Sequence, residues 1–461
     1  MMPNKQTLLF ILLLFFAAVS CKKGWVPFSN IIDLKNSPTS PTDEGLNAFF
    51  DLGSWMGFAL SEDKTTTGFA GPYILGLEHG VWASNNFTSL DLVAENGNSL
   101  LTNLKYSEQN YFPGRLENQT NFEGINLNSS LIFTSDKSLI ISTTITNNGN
   151  QNIEFTPQWK GEIFHHIGRF INNETHLITL LEKDQKIYVS PISDVPFTIY
   201  SDSNKYVVSL ESYNLKPKKT KTYSIEIQYH PNQKKLQKPI RKIDVSQAIE
   251  NNRLRWSKYL EITKSNSLSK EEKLILTKSI CTLINNWRSA AGELKHDGLF
   301  PSYHYKWFQG FWSWDSWKHA VALVKIDAEL AKNQVRAMYD YQNKDGMIAD
   351  CIFRDTTVEK HNWRDTKPPL SSWAIWEIYK ETQDTAFLNE MYPKLVNYHN
   401  WWYAFRDYDK DGLCEYGSTD GSLIAAKWES GMDNAIRFDK CKIVEGSSCS
   451  INTESVDLNS Y

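Results

Sequence analysis

The sequence predicts a multidomain protein of the β + α class, in which a β-sandwich precedes a helical domain. Its 461 residues exceed what one ordinary hydrophobic core accommodates, so two or three domains are expected. Hydrophobic residues alternate with a period of two in the first half, and the period becomes helical near Lys242. Tryptophan follows the same division, because four of the 16 tryptophans precede position 250 and the other twelve follow it.

The N-terminus has the layout of a secretory signal. An apolar run from Leu8 to Ala18 is too short to span a membrane and ends in Val19-Ser20-Cys21. This ending resembles a bacterial lipoprotein cleavage box, in which Cys21 would be the lipidated residue. We therefore expect a signal peptide over residues 1–21 and a polar tether over residues 22–44. The protein would be exported and lipid-anchored in the periplasm or outer membrane, touching the membrane only through its anchor. An ordinary signal peptide with an incidental cysteine is the alternative.

Residues 45–239 predict the β-sandwich. Leu139 to Thr146 is rich in β-branched residues, Asn148-Gly149 supplies a hairpin turn, and alternation resumes at Ile153. No cluster of acids or nucleophiles stands out in this region, and the net charge of -4 gives no electrostatic basis for binding nucleic acid. The chemistry is therefore expected in the second half.

Residues 240–268 predict a linker helix, and residues 269–461 predict helical hairpins joined by loops. Ser269 to Glu272 fits a capping box at the start of a helix. A further helical run covers Lys318 to Tyr341, with a break near Asp327. About six helices are expected in the second half of the chain. Since helical stripes normally form core, we look for function in the loops between them.

Three of these loops stand out: the first and the third combine aromatic residues with charged ones, and the second is a turn that begins and ends with an aspartate. They run from Trp307 to Trp317, from Asp345 to Asp350, and from Asn362 to Pro369. Together they describe a pocket with aromatic walls and charged hydrogen-bonding groups, which is the chemistry of a carbohydrate cleft. For most of the twelve tryptophans, simple filling of a helical core is the alternative.

A fourth loop predicts a calcium ion. Acids alternate with other residues ahead of Gly412, as in the front of an EF-hand loop, whose glycine makes a sharp turn. Ser418 occupies the twelfth position, where the full pattern has a bidentate carboxylate. The ion would be structural, and a solvated acidic turn is the alternative. The predicted calcium ligands are Asp407, Asp409, Asp411, Leu413 and Glu415.

The segment from Trp428 to Asn434 carries two acids, Glu429 and Asp433, four residues apart. In a helix the two carboxylates would share a face. In a loop, Gly431 could adopt a backbone conformation closed to other residues. Taken alone, the segment is more typical of a polar surface turn than of a catalytic site.

In combination these segments resemble glycoside hydrolase family 63. The likeness rests on residues 310–318, 345–350, 366–370 and 428–434 together with the calcium-like loop, and it extends to Phe50-Asp51-Leu52-Gly53-Ser54-Trp55. It is greatest for the bacterial α-glucosidases of the family, which place a β-sandwich before an (α/α)6 barrel. The resemblance therefore implies that residues 269–461 form the first part of such a barrel.

The resemblance further implies an inverting α-glycosidase that hydrolyses α-linked oligosaccharides or disaccharides, such as α-glucosides. Asp433 matches the general acid of the family, and Glu429 is expected to be a neighbour that raises its pKa. The substrate-binding residues implied are Phe311, Trp314, Asp315, Lys367, Glu429 and Gly431.

The general base of the family lies downstream of the segment around Asp433, so we expect it beyond Tyr461. The chain would then be a C-terminally truncated fragment with little or no turnover of its own. A non-catalytic, glycan-binding surface lipoprotein and a trehalase-like (α/α)6 hydrolase are the alternatives.

Overall fold

The structure is a computed structural model that describes residues 28–77, 80–102, 104, 107–172, 175–181, 185–231, 243–434, 436, 441–444 and 448–451, with the backbone alone for 441–451. Antiparallel strands fill the first part of the chain, and helices joined by long loops fill the second. The strands of the first part are β1 Met56–Ala59, β2 Ala70–Ile74, β3 Val81–Trp82, β4 Ser89–Val93, β5 Ser107–Phe112, β6 Arg115–Phe122, β7 Ile125–Phe133, β8 Ser138–Asn147, β9 Ile153–Glu162, β10 Gly168–Asn172, β11 Leu177–Leu181, β12 Lys186–Ile192, β13 Phe197–Ser201, β14 Lys205–Leu210, β15 Tyr213–Leu215 and β16 Thr220–His230.

Two antiparallel sheets dominate this first part. One has eight strands in the order β10-β11-β12-β16-β8-β7-β6-β5, and the other has the order β13-β14-β9-β15 with β4 also paired to β9. A third, three-stranded sheet has the order β1-β2-β3. The alternation predicted from the sequence is visible in β9, where Phe155, Pro157 and Trp159 are buried and Thr156 and Gln158 between them are partly exposed. The predicted order of strands before helices is thus confirmed.

Seven helices and six short strands lie in the described residues of the second part. The helices are α1 Val245–Tyr259, α2 Lys270–Asn286, α3 Ser313–Leu323, α4 Ala328–Tyr339, α5 Ser371–Thr382, α6 Thr385–Phe405 and α7 Leu423–Glu429. The strands are β17 Trp287–Arg288, β18 Gly298–Leu299, β19 Phe311–Trp312, β20 Cys351–Ile352, β21 Cys441–Val444 and β22 Ser448–Ile451. They pair two by two, β17 with β18, β19 with β20, and β21 with β22.

Local sequence signals explain where several helices begin. The predicted capping box opens α2, because the Ser269 hydroxyl accepts from the Glu272 N–H at 3.2 Å and the Glu272 carboxylate accepts from the Ser269 N–H at 2.7 Å. The predicted break near Asp327 separates α3 from α4, and the Asp327 carboxylate caps α4. Helix α3 begins at Ser313, earlier than the predicted Lys318, and this places Asp315 in its first turn.

The segment around Asp51 joins the strand-rich part to the helical part. The Asp51 carboxylate, which is 0% exposed, accepts two hydrogen bonds from Arg255 at 2.7 and 2.8 Å and one from Trp256 Nε1 at 2.8 Å. Trp55 Nε1 donates to the Ser289 carbonyl at 3.0 Å. A bidentate arginine–carboxylate pair is among the strongest polar contacts, so the two parts share one buried boundary.

The predicted signal peptide, Cys21 and the first part of the predicted tether lie outside the described residues. From residue 28 onward the chain packs on the strand-rich part, since Leu34 is 2% exposed and Lys35 forms a bridge with Leu60. The domain boundaries themselves stay predictions. Within the described ranges, no helix has both the length and the apolar character needed to cross a membrane.

Candidate active site

Two short strands place Asp315 and Asp350 at one end of the helical part. Strand β19 pairs with β20 so that Trp312 lies opposite Cys351, and the Ser313 N–H donates to the Asp350 carbonyl at 2.8 Å. The first turn of α3, which carries Asp315, therefore begins beside the end of the loop that carries Asp350. Two of the three loops singled out in the sequence meet at this point.

Lys367 is the residue around which the acids gather. It is 3% exposed, and its Nζ lies 3.5 Å from Asp350 Oδ1, 3.6 Å from Asp365 Oδ2 and 3.8 Å from Asp433 Oδ1. The same nitrogen donates to the Trp428 carbonyl. Burial lowers the pKa of Lys367, but Asp350, Asp365 and Asp433 outweigh burial and leave the pKa raised. Lys367 is therefore a buried, charged ammonium.

Asn362 links two of these acids. Its Nδ2 donates to Asp350 Oδ2 at 3.0 Å and to Asp365 Oδ1 at 2.9 Å, and both carboxyl groups are 0% exposed. Burial raises the pKa of Asp350 to about 6. Burial and then the charge of Asp350 raise the pKa of Asp365 to about 9. At neutral pH the pair therefore holds a proton.

Asp315 and Asp433 complete the set of acids. Burial raises the pKa of Asp315, Lys318 and Lys367 oppose that rise, and Asp433 adds to it. The Asp433 side chain is 45% exposed, in contrast to the buried acids around Lys367. The arrangement thus offers one accessible carboxyl group at the surface of a buried charged cluster.

Gly431 and Trp314 determine the position of the loop that carries Asp433. Helix α7 ends at Glu429, and Gly431 has a φ of 68°. A Cβ atom at Gly431 would lie 3.2–3.3 Å from the Trp314 ring, so the backbone packs directly on the indole. Lys318 Nζ lies 3.6 Å from the centroid of the same ring. Of the two conformations considered from the sequence, the loop is the one observed.

Glu429 faces Arg406. Its carboxylate, 0% exposed, accepts from Arg406 Nε at 2.5 Å and Nη2 at 2.8 Å. It also accepts from the N–H groups of Thr366 at 3.2 Å and Gly417 at 2.8 Å. The expected role of Glu429 beside Asp433 is corrected accordingly. Because its oxygens are engaged by these four donors, it joins the end of α7 to the loop before α5 and to the loop between α6 and α7, and it does not pair with the exposed acid.

Phe311 is also placed differently from the expectation. Its side chain is 0% exposed and packs against Phe300 at 5.9 Å between ring centroids. Gly298 lies so close that an added Cβ would be 2.7 Å from the Phe311 ring. Phe311 therefore anchors β19 behind the site and presents no surface to a sugar.

Sequence reasoning missed four residues of this arrangement, which are Asp350 as a partner of Lys367, Asn362, Asp365 and Arg406. The loops that contain the first three were singled out in the sequence, the one with Asp350 as a turn with two acids and the one with Asn362 and Asp365 as charged and aromatic. Within those loops, no periodic pattern distinguishes the residues that turn inward.

The calcium-like loop brings its first three acids together. One carboxylate oxygen from each of Asp407, Asp409 and Asp411 lies within 4.8 Å of the others. Asp407 Oδ1 is buried without a hydrogen-bond partner in the described structure. An oxygen-only set with one unpartnered carboxylate oxygen fits a hard cation such as Ca²⁺. Glu415, the last of the predicted ligands, directs one carboxylate oxygen to the Tyr408 N–H at 3.0 Å.

Comparison with known proteins shows which domains this chain is similar to. Residues 308–457 match the model of the mannosylglycerate hydrolase MGH1-like glycoside hydrolase domain. Residues 39–183 match the model of the glucosidase YgjK N-terminal domain. The two matches confirm the predicted resemblance, since a segment in each part of the chain is similar to a domain of a glycoside hydrolase or glucosidase.

Particular relatives follow from the same comparison. The chain is 28% identical over 183 residues to a mannosylglycerate hydrolase of Thermus thermophilus, covering 35% of this chain and 40% of that protein. It is 24% identical over 157 residues to a glucosylglycerate hydrolase of Mycolicibacterium hassiacum, covering 28% of this chain and 33% of that protein. The chain thus spans less than half the length of these curated relatives.

A solved structure supports the fold. A putative kojibiose phosphorylase from the human microbiome superposes with a TM-score of 0.53 at 11% identity, covering 79% of this chain and 58% of that one. At this identity the likeness concerns the fold alone.

Proposed function

We propose that the chain carries the general acid of an inverting α-glycosidase, and that this acid is Asp433. One observation carries the proposal: Asp433 is 45% exposed, whereas Asp350 and Asp365, which share its lysine neighbour, are fully buried. A general acid must come within hydrogen-bond distance of the glycosidic oxygen. The exposed carboxyl group meets that requirement, and the two buried ones do not.

In the proposed reaction, Asp433 donates its proton to the glycosidic oxygen as the bond to the anomeric carbon breaks. Asp315, in the first turn of α3, accepts hydrogen bonds from sugar hydroxyl groups. A second carboxylate activates water on the opposite face of the ring, at about 6.5–9.5 Å from the acid. We assign no described acid to this step, because Glu429 is held by Arg406 and the acids beside Lys367 are buried.

The proposed substrate is an α-glucoside, either an oligosaccharide or a disaccharide. A second candidate is a glycoside of glycerate, since two relatives are named mannosylglycerate hydrolase and glucosylglycerate hydrolase. A glycerate carboxylate requires a nearby cation, and Lys318 is an exposed cation in the helix that carries Asp315.

The test compares Asp433→Asn with the unmodified full-length protein on substrates with good and poor leaving groups. We expect kcat on the poor leaving group to fall by about 10²–10⁴, because that group needs protonation, and kcat on the good one to fall less. Asp345→Asn, which changes an exposed acid in a turn, is the matched control. Unimpaired turnover of the poor leaving group by Asp433→Asn would exclude the assignment.

The same preparation distinguishes the two substrate classes and the stereochemistry. A panel of α-glucosides and glycosylglycerates identifies the preferred aglycone. NMR of the first product formed reports its anomer, and retention of configuration would contradict an inverting mechanism.

Three further features of the proposal concern the rest of the chain. The helical hairpins are proposed to form part of an (α/α)6 barrel, supported by the order of helices joined by long loops in the described residues of the second part. A structural Ca²⁺ is proposed at Asp407, Asp409 and Asp411, supported by their proximity. Export with a lipid on Cys21 is proposed from the sequence, and Cys21→Ser should move the protein from the membrane fraction to the soluble one.

A further inference from the structure

Lys367 has more negative charge around it than one ammonium can balance. Its Nζ lies 3.5 Å from Asp350 Oδ1 and 3.6 Å from Asp365 Oδ2, and neither carboxyl group is exposed. Burying an uncompensated charge is strongly unfavourable, so two buried carboxylates are not balanced by a single cation. One of the two carboxyl groups must therefore be neutral.

Asn362 holds the two carboxyl groups close enough for the charge of one to affect the pKa of the other. Because its Nδ2 donates to Asp350 Oδ2 at 3.0 Å and to Asp365 Oδ1 at 2.9 Å, those oxygens are at most about 6 Å apart, where like charges raise each other's pKa. The other oxygens, Asp350 Oδ1 and Asp365 Oδ2, face Lys367 and have no hydrogen-bond partner within the described residues.

We propose that Asn362, Asp350 and Asp365 form a positioning unit that shares one proton and holds the Lys367 ammonium beside Asp433. The inference rests on the proposed role of Asp433 as general acid. Both carboxyl groups of the unit are buried, so they act through Lys367 and do not touch the substrate. Their function is to fix the charge and the position of the lysine next to the acid.

The surrounding charges agree with one proton per unit. Burial raises the pKa of Asp350 to about 6 and, with the charge of Asp350, that of Asp365 to about 9. Between these values the unit holds one negative charge, which balances Lys367. The other ionisable groups around it are Asp433, Glu429 with its partner Arg406, Asp315 with Lys318, and the Cys351 thiol.

The first experiment measures the pH dependence of kcat/KM in the full-length protein for Asp350→Asn, Asp365→Asn and the double variant. Each single variant leaves one carboxylate for Lys367, so we expect a small loss. In the double variant, Asp433 is the carboxylate that remains close to Lys367, and the uncompensated ammonium favours its ionised form. The alkaline fall in kcat/KM should therefore begin at a pH lower by about one unit or more. Its loss should exceed the product of the two single losses.

The matched control is Asp297→Asn. Burial raises the pKa of Asp297 as well, and its carboxylate accepts from Trp287 Nε1 and the Ala290 N–H, each at 3.0 Å, away from Lys367. We expect no movement of the pH profile in this variant. Independent single effects that multiply in the double variant, with an unmoved alkaline limb, would overturn the proposal.

The second experiment needs no turnover. Infrared spectra at neutral pH report the carbonyl band of a protonated, buried carboxyl group. A shared proton predicts that Asp350→Asn and Asp365→Asn each remove the same band, because the remaining acid ionises against Lys367. If Asp350→Asn leaves the band in place, the proton is not shared and the inference is wrong. If no form of the protein hydrolyses a glycoside, the proposed function fails and the infrared result alone decides the positioning unit.

Discussion

Replacing Glu429 by glutamine should destabilise the protein far more than its conservative chemistry implies. The carboxylate is 0% exposed and accepts from Arg406 at 2.5 and 2.8 Å, from Thr366 at 3.2 Å and from Gly417 at 2.8 Å. The glutamine variant removes the negative charge that balances the buried guanidinium of Arg406. Its side-chain amide also places an N–H group against one of these donors, where the carboxylate had an accepting oxygen. Breaking a buried pair in this way costs about 3–5 kcal/mol.

Urea denaturation of the full chain measures this loss. The matched control is Glu390→Gln, because Glu390 pairs with Arg336 in a similar two-pronged geometry at 2.7–3.1 Å, but with side chains 37% and 21% exposed. An exposed pair contributes about 0–1 kcal/mol. If both variants lower the free energy of unfolding equally, the argument from burial at Glu429 is refuted.

Three other changes test the site. Gly431→Ala should lower the free energy of unfolding by about 1–2 kcal/mol, because the φ of Gly431 is 68°. It should also lower activity, because the added methyl group displaces Trp314. The control is Gly421→Ala, where φ is 73° and the space around the residue is open, so stability should fall without that loss of activity. Chelation of calcium should lower the melting temperature, because an ion present at 100 times its Kd stabilises the folded state by about 2.7 kcal/mol. Asp409→Asn should abolish this shift in melting temperature. Equal shifts in the unmodified protein and the variant would remove the metal from the proposal. The pKa of Asp365 is raised to about 9 in the folded protein, whereas an unfolded chain has a value of about 4. Between about pH 4 and pH 9 the folded state therefore binds a proton that the unfolded state has released, so stability falls as the pH rises. Asp365→Asn should flatten that fall by about 1.4 kcal/mol per pH unit between pH 6.5 and 8.5 in denaturation measurements, and an unchanged slope would contradict the raised pKa.

Features encoded in neighbouring residues were predictable from the sequence. The capping box at Ser269 and the cap at Asp327 are local hydrogen bonds between residues three positions apart, so the amino-acid sequence alone shows the pattern. The early start of α3 was not visible, because its first turn contains Trp314 and Trp317, and their aromatic character was attributed to a loop. Asp315 was therefore identified without its place on a helix.

The centre of the candidate site could not be predicted, because tertiary contacts create it. Asn362 reaches back twelve residues to Asp350, and Arg406 reaches forward 23 residues to Glu429. Neither spacing follows a helical or strand period. Charge and burial select these pairs only after the loops have folded, since an unpaired buried charge would be too unfavourable to persist.

The carboxylate of Asp51, buried against Arg255 and Trp256, has a consequence for how such a protein can evolve and be engineered. If a flexible linker without buried contacts joined the two parts, the strand-rich part could be exchanged for another domain. Here, however, the strand-rich part supplies Asp51, whose charge balances Arg255 in helix α1 of the helical part. Expression of the helical part alone would leave Arg255 without its partner and uncover Phe300, against which Trp55 packs. A chimaera that takes Asp51 and Arg255 from different parents should therefore be less stable than one that keeps both residues from the same parent.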